Sequence, residues 1–251
     1  MEFRDIDSAE NLVESIKEWE ERNYKVSEGV LSEKISIFQD IIKQYKLLKT
    51  LIQDSKIPSD QAIEINILLF LSCCYQFTIA CLALLRGHFT DALQVTRRAI
   101  ESCAIAHRIK KQPHLAKVWL DAYKSEQDYK QYKSEFKPSS LFPSTHPILK
   151  KLYNKYDVYS KKTHSSIVSM IDRIKKRKKG PGISQIIFYY YECDPNNHNK
   201  INEPFFDIID SHIEILKVFE EVFKEAIDHD RIKWEIRLNS LEGRIAAHKN
   251  I

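Results

Sequence analysis

The amino-acid sequence predicts an all-α fold, a single helical bundle built around an antiparallel helix pair. Three observations carry that prediction. Only 5 of the 251 residues are Gly, and Lys, Glu, Ile and Leu are abundant, which favours helix over a turn-rich sheet protein. Apolar residues recur at helical spacing through most of the chain. The stretch Ile65 to Leu85 carries no charge, and an amphipathic run follows directly from Thr90. A helix apolar all round is a core helix or a membrane span. Asn66, Ser72, Gln76, Thr78 and the adjacent Cys73 and Cys74 inside the stretch favour the core, as does the amphipathic run that needs an apolar partner. Membrane association is the rival reading, since about 20 apolar residues suffice to cross a bilayer.

Taken in order, Ser8 to about Arg22 is expected to form a first helix with Leu12, Val13, Ile16 and Trp19 on one face. A second runs from Ser32 to about Asp54 on Ile35, Phe38, Ile41, Ile42, Tyr45, Leu48 and Ile52. Pro58, Ser59 and Asp60 mark a turn and a cap. The central pair spans 62 to 85 and 90 to 110, joined by a tight turn at Arg86-Gly87-His88-Phe89, with Thr90 as the expected N-cap of its second member. One helix is expected from His114 to about Glu135, then a loop over 137–147 because of its prolines. Pro147 opens the next helix, whose apolar arc is interrupted by Ser160, Thr163 and His164 before resuming at Ile167. The basic run from Arg173 to Lys179 is expected to be a helix end entering a loop. The stretch 183–191 fits strand or short helix. Asn202 is expected to cap a long helix with Pro204 in its first turn, and 231–251 forms an amphipathic tail. The expected organisation is one domain over 1–251, with N-terminal helices in 1–57, the core in 58–179 and C-terminal helices and tail in 183–251.

A net charge of +4 is too small to imply nucleic-acid binding by itself. Five cysteines, four of them on the central pair, and an acidic amphipathic start in place of a signal peptide point to free thiols in the cytoplasm. No Walker loop, Rossmann glycine fingerprint, Cys-x-x-Cys or His-Glu-x-x-His occurs. No cofactor and no metal site is expected.

Four places could carry chemistry. Arg98 and Glu101, one turn apart, form a surface pair of roughly 0.3–0.5 kcal/mol on the bland reading and a groove-lining pair on the functional one. Ser160 and His164 share a face and could act as nucleophile and base, although nothing marks an orienting carboxylate. The run Arg173, Lys175, Lys176, Arg177, Lys178, Lys179 is a solvated helix end or a phosphate-binding patch. His107 points inward on the central pair and is expected to be a hydrogen-bonded core histidine.

Leu84-Leu85-Arg86-Gly87, Arg98-Ala99-Ile100-Glu101 and Tyr159-Ser160-Lys161-Lys162-Thr163-His164 together resemble a bacterial helical-bundle family of unknown function related to the HEPN superfamily. The resemblance covers about residues 60 to 170. It implies a HEPN-like bundle that binds RNA, or cleaves it without a metal in a toxin or phage-defence type system. The usual HEPN signature, an Arg followed shortly by a His on one helix, is matched in spacing only by Arg108 and His114, with Pro113 between them. A site of this type would be composite. His164 would be general acid or base, Arg98 would stabilise phosphate charge and Glu101 would orient Arg98, with His164 meeting the Arg98–Glu101 face across the bundle. The implied partners are RNA, and a second copy or another protein. The competing class is a non-enzymatic interaction module in which the same residues form a structural polar network.

Overall fold

The computed structural model describes residues 12–55, 60–163, 174–180, 183–188, 198–227 and 231–249. Helix α1 spans Leu12–Val30, longer than its short apolar face implied, and α2 spans Ser32–Asp54. Helices α3, Gln61–Leu85, and α4, Phe89–Lys111, are the expected antiparallel pair and make the most extensive packing in the molecule. The remaining helices are α5 (Leu115–Asp121), α6 (Glu126–Glu135), α7 (Pro138–Leu141), α8 (Pro147–Thr163), α9 (His198–Val222), α10 (Lys224–Ile227) and α11 (Arg231–Lys249). Between α8 and α9 lies one antiparallel hairpin, β1 (Ile174–Gly180) and β2 (Ile183–Phe188). The fold is an all-α bundle bearing that hairpin.

Each end of α3 has a local cause. Asp60 is the N-cap, accepting from Ile63 N at 2.8 Å. At the other end Gly87 takes a φ of 87°, which a side chain would resist. His88 N then donates to Ala83 O at 2.9 Å and Gly87 N to Leu84 O at 3.0 Å, closing a Schellman turn that reverses the chain into α4. The next helix starts one residue earlier than Thr90, with His88 as an N-cap whose side chain makes no capping hydrogen bond.

The core is a single cluster running from Leu31 to Ile245, so α9 and α11 complete a centre that α3 and α4 begin. Helix α9 packs on both members of the pair and on α8 and α2. Phe38, Tyr45, Phe70, Phe77, Phe205 and Phe219 meet there, with Phe70 and Phe219 centroids 5.2 Å apart edge to face. Helix α3 is not enclosed all round as its composition implied. Phe70 and Phe77 are buried, but Leu68 and Tyr75 are 56% and 66% exposed because none of the described helices covers that face. Helix α3 alone among the described helices is long and apolar enough to cross a membrane.

Several local expectations are corrected. The His114–Glu135 segment is two helices, because Ser125 turns extended and caps α6 through Asp128 N at 3.1 Å. The proline-rich 137–147 segment holds one helical turn, α7, with Pro138 at its first position where no N–H is needed. Helix α9 starts at His198, which places Pro204 inside it rather than in its first turn. The basic run is not a helix end: Lys175 to Lys179 lie on β1, with Lys175 to Lys178 paired to Ile187, Ile186, Gln185 and Ser184 of β2 and Lys179 at the irregularity before Gly180. The same pairing decides 183–188 for strand. The resumed arc from Ile167 to Ile171, Arg173, and 189–191 lie outside the described residues, whereas Ile174 opens β1.

Candidate functional site

On α4, Arg98, Glu101, Ser102 and Ile105 follow one another at helical spacing and line one wall of a groove of about 360 Å³. Leu68, Leu69, Ser72 and Gln76 of α3 form the facing wall, with Trp119 of α5 and Tyr132 of α6 at its end. Beside the groove α6 is tied to α4, Arg108 Nη2 donating to Glu135 Oε2 at 2.8 Å. Gln76 Nε2 donates to Ser72 Oγ at 3.1 Å, which fixes the amide, while Gln76 Oε1 is buried with no hydrogen-bond partner. Arg98 is exposed at the rim, and no ion pair joins it to Glu101. Burial, and then the Glu101 carboxylate, raise the Tyr132 hydroxyl above its usual pKa, so it stays a neutral donor.

From Tyr132 an aromatic row runs outward. Tyr132 stacks with Tyr129 at 6.4 Å between centroids and Tyr129 with Tyr123 at 5.6 Å, Tyr123 being 85% exposed. Lys133 Nζ lies 4.4 Å above the Tyr129 ring.

The structure brings Arg98 and Glu101 together in this groove. Ser160 stands on α8, none of whose residues line it, and its hydroxyl donates back to Tyr156 O at 2.7 Å. His164 and Arg173 lie outside the described residues. Helix α8 instead meets another side of α4, where Arg97 sits over the Tyr156 ring at 5.5 Å.

That side also holds a cluster that no spacing in the sequence revealed. His107 was expected to be a hydrogen-bonded core residue; it is buried, yet its Nε2 has no partner. His146, the residue before α8, has its Nε2 2.9 Å from Glu221 Oε2, and its ring packs edge to face on His107 with centroids 4.7 Å apart. Burial, then the neighbouring His146, lower His107 to about 4, against the pull of Glu221. The inward position of His107 was the only legible hint, because His146 and Glu221 come from distant parts of the chain. Trp119 and Tyr132 carried no signal beyond falling in the segment expected to be one helix from His114 to about Glu135.

Comparison with family models, curated proteins and solved structures finds no match to this chain. Its chemistry rests on its own residues. The groove offers flat apolar rings, one exposed guanidinium and an unpaired amide oxygen, a set suited to a planar heteroaromatic group carrying N–H donors next to an anion. Elsewhere, Cys73, Cys74, Cys81 and Cys103 are free thiols, and burial raises each above its ordinary pKa, so none is primed as a nucleophile.

Proposed function

We propose that this protein binds single-stranded RNA, with a nucleobase entering the Arg98–Glu101 groove and flanking bases stacking along Tyr132, Tyr129 and Tyr123. The observation that carries the reading is the continuity of that aromatic row with a groove rimmed by Arg98. Stacking accepts any base, and Arg98 and Lys133 supply charge for the backbone. The unpaired Gln76 Oε1 would accept from an exocyclic amino group. Lys175, Lys176, Arg177, Lys178 and Lys179 on β1 add the sequence-independent attraction that phosphates respond to. The HEPN-type extension is cleavage, with His164 as general acid or base and Arg98 stabilising phosphate charge. In this reading the protein works in the cytoplasm.

Fluorescence anisotropy with a labelled oligoribonucleotide tests it. Tyr132→Ala and Trp119→Ala should each weaken binding by about 1–3 kcal/mol. Neutralising the β1 lysines should flatten the dependence of log K on log salt. Product appearing with wild type and vanishing in His164→Ala, with binding kept, marks cleavage. Equal affinity of wild type and Tyr132→Ala at low salt refutes the groove.

A further inference from the structure

His107 lies on the side of α4 opposite the groove, nine residues or two and a half helical turns after Arg98. It is 6% exposed, and its Nε2 is enclosed without a hydrogen-bond partner. An enclosed imidazole nitrogen normally has one. Two further donors stand beside it. His146 and Glu221 are already in contact, and one donor atom from each of the three residues lies within 4.8 Å of the other two. A buried histidine next to an ordinary His–Glu pair accounts for His146 and Glu221 but leaves His107 Nε2 unexplained.

We propose that His107, His146 and Glu221 bind a divalent transition-metal ion of the zinc class. Two imidazoles and one carboxylate are the donor set of borderline cations, whereas calcium and magnesium take oxygen ligands. Three protein ligands leave a fourth, open position on zinc. That position can face water, because the Glu221 side chain is 46% exposed and the His146 side chain 16%. With bonds of about 2.1 Å, tetrahedral donors sit about 3.4 Å apart, so the cluster must close slightly around the ion. Glu221, on the exposed rim, has room to swing.

The proton balance is also defined. Leu149 N donates to His146 Nδ1 at 3.3 Å, so the ring proton sits on Nε2 and is donated to Glu221. Ligation through Nε2 moves that proton to Nδ1 and ends the contact with Leu149, which is already long. Glu221 Oε2 exchanges its N–H donor for the metal. His107 enters through the nitrogen that has no other partner.

The test is titration of the chelator-treated full chain with Zn²⁺ by calorimetry, with Co²⁺ absorption as a second reporter of coordination. One ion per chain is expected, accompanied by a rise in Tm. Glu221→Gln and His146→Gln should each weaken Zn²⁺ binding by at least about tenfold, with circular dichroism unchanged. Glu221 is on the surface, so its variant decides the matter even if His107→Gln does not fold. Absence of Zn²⁺ binding, undiminished binding in both variants, or equal affinity for Mg²⁺ overturns the proposal. The single-stranded RNA assay is unaffected by any of these outcomes, because the two sites share no residue.

Discussion

At the scale of single residues, His212 has the clearest energetic consequence. It is fully enclosed on α9, with its Nδ1 2.8 Å from Tyr45 Oη and the Phe77 ring packed on it at 4.6 Å. Burial lowers its pKa to about 3. The unfolded chain takes up that proton near the ordinary value of about 6.5, and the folded chain does so only near 3. The contribution is therefore whole above about pH 6.5 and declines as pH falls toward 3, by up to about 1.4 kcal/mol per pH unit. Denaturant midpoints measured across that range should fall with acid in wild type and fall less steeply in His212→Gln. Tyr45→Phe should cost about 1–3 kcal/mol, because it leaves His212 without its hydroxyl partner; an unchanged midpoint contradicts that role. None of this was legible from position alone. A histidine in an apolar face can be a ligand, an ion-pair member or a neutral core residue, and only its neighbours distinguish His212 from His107.

At the scale of elements, the two ends of α3 were legible because a side chain and a glycine cause them, whereas the Ser125 cap that starts α6 was missed. Asp60 caps α3 and Gly87 ends it, both as the sequence implies. Asp60→Ala should lower stability by about 1 kcal/mol, measured by thermal or denaturant unfolding. Two starts lie elsewhere than expected. His88 begins α4 without a side-chain capping bond, and α9 runs through Pro204 because packing on α4, α3 and α8 outweighs one lost backbone bond. The basic run failed for a related reason. Lys and Arg favour helix by propensity, but pairing of β1 with Ile183, Ile186, Ile187 and Phe188 overrides it. Propensity is a local quantity, and strand formation depends on the partner.

At the scale of the molecule, α11 closes the bundle against α2 and α9. Trp234 is fully buried and its Nε1 donates to Glu220 Oε2 at 3.0 Å, while Arg244 pairs with Asp40 and Lys217 with Glu242. Trp234→Ala should cost about 3–5 kcal/mol, checked by equilibrium unfolding; a change of only a few tenths shows that α11 docks loosely. Ile232 and Ile236 of the amphipathic tail are 73% and 63% exposed, because its buried face is carried by Trp234, Leu238, Leu241 and Ile245.

The sequence by itself determined the helical class, the central pair and its tight turn. Those rest on periodicity, capping and glycine conformation, which act between residues a few positions apart. Only the tertiary structure decided which residues meet on each side of α4. The groove needs α3, α5 and α6 beside Arg98 and Glu101. The histidine cluster needs α8 and α9 to carry His146 and Glu221 to His107. Contacts between residues 39 and 114 positions apart leave no mark on local spacing. They arise only when apolar faces from separate segments share one core.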